Sequence, residues 1–168
     1  MMPDEPKIEP ANNEAKVPAK DTFRILIVDT IENTLQLKMA CKKAGHSVVA
    51  AHKIDEAIAF LDNEDHADVI VCAAYLEDES MFDFLKQVRN NPIHKKSMFM
   101  ILSLAPGPAG IVANSSTKAA GRLLGANAFV SMPVFNAELL IDEVRKLLPL
   151  VPILEQERQR QDSDSKAT

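Results

Sequence analysis

The stretch ADVIVCAAYLEDESMFDFLKQVRN, residues 67–90, contains a strand pattern followed directly by a helix pattern. Its apolar start, ADVIVCAA, is a continuous hydrophobic run, which is typical of a strand buried on both faces of a parallel sheet. Its second part, SMFDFLKQVRN, has the periodicity of an amphipathic helix. Phe82, Leu85 and Val88 fall on one side of that helix, and we expect them to be buried.

The same strand-then-helix pattern occurs again on both sides of this stretch. Further strand patterns are RILIV (24–28), HSVVAA (46–51), SMFMILSLA (97–105) and NAFVSM (127–132). Helical periodicity follows them over 29–45, 54–63, 116–126 and 135–148. In the first of these helices Ile31, Leu35 and Met39 lie on one helical face, and Gly45 follows at a C-cap position.

This alternation predicts an α/β fold with one parallel sheet and helices on both of its faces. Crossovers between parallel strands are right-handed, so the helices form two outer layers. In such sheets functional groups gather beyond the carboxyl ends of the strands. The residues at those ends are Asp29, Thr30, Ala73, Ala74, Ser103, Met132 and Pro133.

Composition limits the classes of function. The chain has 168 residues, 46% of them hydrophobic, and a formal net charge of −5. The acid surplus argues against a protein held to nucleic acid or to an anionic membrane by bulk charge. The two cysteines, Cys41 and Cys72, have no zinc spacing and cannot form a disulfide framework. With neither a signal pattern nor a membrane-length apolar run, we expect a cytoplasmic protein.

Three segments are predicted from composition. Residues 1–22 are rich in proline and poor in large apolar side chains, so we expect a disordered N-terminal tail. Residues 23–150 form the folded domain. Residues 151–168 form a polar C-terminal tail, for which a partly helical conformation remains open.

Four motifs, in this order, resemble the receiver domain of two-component response regulators. They are RILIVDT (24–30), ADVIVCAAYLEDESMFDFLKQVR (67–89), MILSLA (100–105) and GANAFVSMPVFNAELL (125–140). The resemblance covers the folded domain and implies a CheY-like, flavodoxin-like fold. That fold is a doubly wound, five-stranded parallel sheet, (βα)5, with helices on both faces.

The resemblance also shows where the sequence departs from the family. Receiver domains transfer a phosphoryl group to an aspartate at the end of the third strand, with help from Mg²⁺ and a lysine. The resemblance places Ala73 at the aspartate position and Met132 at the lysine position, and the usual acidic pair reads Asp29-Thr30. It therefore implies a degenerate pseudo-receiver that lacks the phosphoacceptor, with no catalytic residue, metal or cofactor.

Two residues match the family's conformational switch. Ser103 corresponds to the Ser/Thr of the fourth strand and Phe129 to the aromatic residue of the fifth. One interpretation is an output face that still binds a partner; the other is that Ser103 makes a local hydrogen bond and Phe129 is core. Pro133 follows Met132 where the family has a cis peptide, so we expect a cis bond there.

The segment 104–118 is longer than the corresponding loop of the family. Its prolines and glycines predict an extended loop. Ser115, Ser116 and Thr117 could cap the following helix, and the start of that helix, with Lys118, could hold an anion. An ordinary insertion that precedes a capped helix is the alternative.

The leading hypothesis is an adaptor without enzymatic activity in two-component-type signal transduction, which binds a signalling protein independently of phosphorylation. The alternative is a sensor that binds a small molecule or nucleotide through the 104–118 loop. A homodimer through the last helix remains open, and neither nucleic acid nor membrane is expected as a partner.

Overall fold

The computed structural model describes residues 22–63 and 66–147, in which strands and helices alternate. The strands are β1 (Arg24–Val28), β2 (Ser47–Ala51), β3 (Val69–Ala73), β4 (Met98–Leu104) and β5 (Ala128–Met132). The helices are α1 (Ile31–Lys43), α2 (Ile54–Asp62), α3 (Met81–Asn90), α4 (Pro108–Leu123) and α5 (Ala137–Arg145). The predicted alternation is confirmed. The tails predicted for 1–22 and 151–168 lie outside the described residues, except for Thr22.

The strands form one sheet in the order β2-β1-β3-β4-β5, and every neighbouring pair is parallel. β3 lies at the centre, between β1 and β4, and all its residues are buried. The strand order reverses direction after β1, which opens a crevice beyond the carboxyl ends of β1 and β3. The predicted doubly wound fold is confirmed.

Each face of the sheet has its own hydrophobic cluster. On one face, Leu37 and Cys41 of α1 pack with Leu140 and Val144 of α5. On the other face, side chains of α2 and α3 cover the sheet, among them Ala57, Leu61, Phe84, Leu85 and Val88. These clusters make the three layers that the alternation predicts. Among the described residues, no helix is long and apolar enough to cross a membrane.

Helix ends follow local signals in the sequence. The side chains of Thr30, Ser80 and Asn136 accept hydrogen bonds from the first turns of α1, α3 and α5, as N-caps do. Gly45 and Gly125 follow α1 and α4 with φ of +94° and +102°, which favours glycine. Ala44 is the C-cap of α1, and Gly45 follows it directly, so the helix end predicted near Gly45 is confirmed to within one residue.

The apolar face of α1 does not point where periodicity suggests. Ile31, Leu35 and Met39 share a face but are 65%, 60% and 72% exposed. The adjacent stripe, which includes Leu37 and Cys41, packs against the sheet instead. In the folded chain the stripe with Leu37 and Cys41 is therefore buried, whereas the larger side chains of the predicted apolar face are exposed to solvent.

The buried face of α3 also differs from the prediction, although by less than that of α1. Leu85 and Val88 are buried as expected, whereas Phe82 is only partly buried. Met81 and Phe84 occupy the remaining inward positions of the helix.

Only residues 105–107 of the segment 104–118 form a loop, so the predicted extended loop is much shorter than expected. α4 begins at Pro108, with Gly107 as its N-cap, so the added residues lengthen the helix at its start. Proline is favoured at the first helical position because its missing N–H would have no partner there. Ser115, Ser116 and Thr117 therefore lie inside α4, and the prediction that they cap it is wrong.

The prediction of a cis bond at Pro133 is also wrong. No peptide bond in the described parts of the chain is cis, so the bond between Met132 and Pro133 is trans.

Candidate functional site

A cavity of about 560 Å³ lies beyond the carboxyl ends of β1, β3 and β4, under the first turns of α4. We call it the strand-end cavity. The strand-end residues Asp29, Ala73 and Ser103 line it together with Gly110 and Ala113 of α4. The sequence predicts that these three strand-end residues gather at one edge of the sheet, and the structure brings them together there.

Asp29 is the carboxylate of this cavity, and it is 4% exposed. Its Oδ1 accepts hydrogen bonds from the Thr30 N–H at 2.7 Å and from Asn33 Nδ2 at 3.1 Å. Burial raises the pKa of the Asp29 carboxyl, and these two hydrogen bonds offset part of the rise. Within the described residues, no hydrogen bond reaches the other oxygen, Oδ2. The Oδ2 atom of Asp29 can therefore accept a hydrogen bond from a molecule in the cavity.

The strand-end residues Thr30, Ala73 and Met132 carry no charge. Thr30 accepts the Asn33 N–H at 3.2 Å and so acts as the N-cap of α1. Ala73 ends β3 with a methyl group at the cavity wall and is 6% exposed. Met132 is 1% exposed and packs in the cluster with α1 and α5, away from the cavity lining.

Ser103 takes part in a polar network with α4. Its hydroxyl donates to Asn114 Oδ1 at 2.9 Å, and Asn114 Nδ2 donates to Ser131 Oγ at 3.3 Å. The Tyr75 hydroxyl lies 2.9 Å from the same Asn114 oxygen and 3.3 Å from Thr117 Oγ1. We call these five residues the Asn114 network. It ties the ends of β3, β4 and β5 to the middle of α4.

Gly110 allows Tyr75 to approach α4. The Tyr75 hydroxyl lies 3.0 Å from the Gly110 carbonyl oxygen. A Cβ at this position would lie 3.0 Å from Tyr75 Cε2 and 2.8 Å from Pro106 Cβ. Tyr75 and Asn114 are not among the residues predicted from sequence. The available signal for Tyr75 is a hydroxylated aromatic residue two positions after the end of β3.

The other predicted residues do not join the strand-end cavity. Ser115, Ser116 and Lys118 are exposed on α4 and do not line the cavity. Thr117 is buried beneath Tyr75. The residues predicted for a ligand loop are therefore not part of the strand-end cavity.

The two remaining output-face residues also lie apart from the cavity. Phe129 is half-buried and packs against the second hydrophobic cluster, beside Lys118 and Arg122 in a small cleft. Pro133 is exposed after β5.

Acidic residues after β3 do not form a metal centre with Asp29. Both carboxylate oxygens of Glu79 lie 3.2 Å from the Ile54 N–H, so Glu79 serves the start of α2. Within 22–63 and 66–147, no group of three or more His, Cys, Asp or Glu residues could hold a metal ion.

Charge at the cavity can be tested through stability. A buried carboxyl with a raised pKa takes up a proton more readily in the folded chain than in the unfolded chain, so stability falls as pH rises from about 3.8 through the folded pKa. Asp29→Asn keeps the acceptor for the Thr30 N–H and removes this loss. We expect the variant to be more stable at pH 7, by about 1.4 kcal/mol for each unit of pKa rise.

Urea unfolding of both chains between pH 3 and 8 measures the effect. Asp78→Asn, at an exposed position, is the matched control and should run parallel to the native chain. If the free energy of unfolding of Asp29→Asn also changes with pH in parallel with that of the native chain, burial of the Asp29 carboxylate does not destabilise the fold.

The fold has close counterparts among solved structures. The chemotaxis response regulator CheY4 of Vibrio cholerae superposes with a TM-score of 0.62 at 25% identity, covering 74% of this chain and 97% of that one. A two-component response regulator from Clostridium difficile superposes with a TM-score of 0.61 at 21% identity, covering 75% and 95%. The chain has the CheY-like receiver fold.

The receiver fold also occurs in a third neighbour of a different kind. The signal receiver domain of a signal transduction histidine kinase from Syntrophus aciditrophicus superposes with a TM-score of 0.61 at 20% identity, covering 76% and 90%. The sequence matches no protein-family model, and no curated protein matches it significantly. The similarity to two-component signalling proteins is therefore seen in the comparison of structures and not in the comparisons with family models and curated proteins.

Proposed function

We propose that this chain is a phosphorylation-independent receiver that acts as a protein-interaction adaptor in two-component-type signal transduction. The observation that carries the proposal is Ala73 at the carboxyl end of β3, inside the strand-end cavity. A methyl group cannot attack a phosphoryl donor, so no phosphoaspartate can form at this position.

The charges around Ala73 support the same proposal. Mg²⁺ in protein sites is held by carboxylates, waters and phosphate oxygens in octahedral geometry. Asp29 is one carboxylate, while Thr30 is occupied as a helix cap and Met132 is a core side chain. The site thus has neither a second acid for the metal nor a lysine for the product.

The Asn114 network supports a fixed output face. In a receiver that switches, the hydroxyl at the end of β4 must be free to change partners. Here Ser103 is 1% exposed, and its hydroxyl already donates to Asn114 on α4. The module would therefore present one constant α4 surface to its partner.

Exposed apolar side chains on α4 favour a protein partner. Ile111 and Val112 are 58% and 83% exposed, next to each other in the first turns of the helix. Leu123, at the other end of α4, is 88% exposed. Exposed apolar side chains of this kind are common at protein interfaces.

Incubation with acetyl phosphate and Mg²⁺, followed by intact mass spectrometry, tests phosphorylation independence. We expect no added phosphoryl group on the native chain. A receiver domain with a complete acidic site, run in parallel, verifies that the donor is active. A stoichiometric, hydroxylamine-sensitive phosphoryl group on this chain would overturn the proposal.

The adaptor role is tested by affinity capture with the full chain as bait, with and without the phosphodonor. We expect a signalling protein to be retained equally in both conditions. Val112→Glu should abolish retention, whereas Lys118→Glu, also exposed on α4, is the charge control. Self-association of the bait in the same experiment would instead favour the homodimer.

A second candidate function is a small-molecule sensor, and the strand-end cavity favours it. Its volume of about 560 Å³ falls within the range of ligand pockets, roughly 300–1,000 Å³. The site differs from the one expected from sequence, because Ser115, Ser116 and Lys118 lie outside it.

A further inference from the structure

We infer that the strand-end cavity binds a small molecule with an apolar body and a positively charged N–H group, an amine or amidine, which donates to Asp29. The inference deepens the sensor candidate and rests on it, and it does not depend on the adaptor proposal.

The cavity's apolar walls come from small residues. Ala73 ends β3, and Ala105, Pro106, Ala109 and Ala113 come from the turn before α4 and from its first turns. None of these side chains reaches across the space, so the cavity stays open above the sheet. A ligand here would bury an apolar body against methyl groups and gain the hydrophobic free energy of that contact.

The positive charge that we infer for the ligand follows from Asp29. It is the only carboxylate in the lining, and no Lys, Arg or His among the described residues lines the cavity. The start of α4 contributes a partial positive charge of about half a unit, which solvent screens at the exposed Gly107. The full charge of a buried carboxylate outweighs it, so the cavity favours cations over anions.

Hydrogen bonding gives the ligand's donor a specific place. Asp29 Oδ1 is occupied by Thr30 and Asn33, whereas Oδ2 is not bonded within the described residues. The Ser103 hydroxyl is taken up by Asn114. Oδ2 is therefore available to a ligand, and a charged N–H donor placed there would form a charge-assisted hydrogen bond with the Asp29 carboxylate.

Two probes of matched shape and opposite charge test the inference. Benzamidine carries an amidinium on a phenyl ring, and benzoate carries a carboxylate on the same ring. Titration of the full chain with each, followed by isothermal calorimetry or ligand-observed NMR, should show benzamidine binding at least about tenfold more tightly than benzoate, a difference of about 1.4 kcal/mol. Equal binding of the two, or no binding of benzamidine, would overturn the inference.

Variants locate the site. Asp29→Asn should weaken benzamidine binding about tenfold while leaving the hydrogen bond from the Thr30 N–H in place. Ala113→Phe should fill the cavity and abolish binding, whereas Ala119→Phe, on the exposed side of α4, is the matched control. Binding that survives both Asp29→Asn and Ala113→Phe would place the ligand elsewhere and overturn the inference.

Inorganic phosphate is the third probe. Tighter binding of phosphate than of benzamidine would contradict the charge assignment. Failure of any of these measurements leaves the phosphodonor result and the capture experiment unaffected, because neither requires a ligand in the cavity. The sensor candidate and the adaptor proposal can therefore fail separately.

Discussion

Arg89→Ala should lower the free energy of unfolding by about 3 kcal/mol, the largest stability loss we expect from a single side chain outside the apolar clusters. The Arg89 guanidinium donates to the carbonyl oxygens of Gly125, Ser97 and Lys95, at 2.9, 2.7 and 3.0 Å. It also donates to Asn127 Oδ1 at 2.8 Å. One side chain thus joins the end of α3 to the segment before β4 and the turn before β5.

Burial makes the loss of this side chain more costly. Arg89 is partly buried, and this desolvation lowers the pKa of its guanidinium. Truncation leaves the partly buried carbonyl groups of Gly125 and Ser97 without their donor, whereas the contacts to Lys95 and Asn127 are exposed to water. Arg89→Lys keeps the positive charge but lacks the planar guanidinium group with its several N–H donors. We therefore expect it to recover less than half of the free energy of unfolding that Arg89→Ala loses.

Chemical denaturation of Arg89→Ala, Arg89→Lys and the native chain measures these differences. Arg122→Ala, at an exposed position on α4, is the control and should change stability by less than about 0.5 kcal/mol. If Arg89→Ala is as mild as Arg122→Ala, the four contacts do not stabilise the fold.

The second large effect concerns the Asn114 network. Asn114→Leu should destabilise the chain by about 2 kcal/mol, because the buried Ser103 hydroxyl loses its acceptor. The Tyr75 hydroxyl loses one partner as well. We also expect faster amide hydrogen exchange in the first turns of α4, since the network no longer holds them to the strand ends.

A double-mutant cycle separates the hydrogen bond from packing. Adding Ser103→Ala to Asn114→Leu removes the unpaired hydroxyl and should recover about 1 kcal/mol. Ser116→Ala, which removes an exposed hydroxyl from the same helix, is the matched control. Unchanged exchange in α4 of Asn114→Leu would contradict the proposed role of this network in fixing the output face.

The strand ends could be predicted from sequence because buried parallel strands are continuous apolar runs with visible ends. Asp29, Ala73 and Ser103 each follow or end such a run, and sheet topology then brings them to one edge. Gly45 could be placed for a similar local reason, because a helix C-terminus in this conformation needs a residue that tolerates positive φ.

Features that depend on tertiary packing could not be predicted. Periodicity identified α1 as a helix, but it could not decide whether the stripe with Leu35 or its neighbour with Leu37 faces the sheet. The start of α4 differs from the prediction because proline and glycine normally end regular structure, whereas Pro108 is compatible with the first helical position. The sequence places Asn114 in a loop, so it does not predict the contact with Ser103.

The early start of α4 has an energetic consequence. Gly110 and Ala113 line the strand-end cavity, while Ile111 and Val112 of the same helical turn face solvent. A molecule held inside and a protein held outside would therefore touch opposite sides of one short segment. Binding free energies are reciprocal, so any factor by which the inner ligand changes the affinity of the outer partner must equal the factor by which that partner changes the affinity of the ligand.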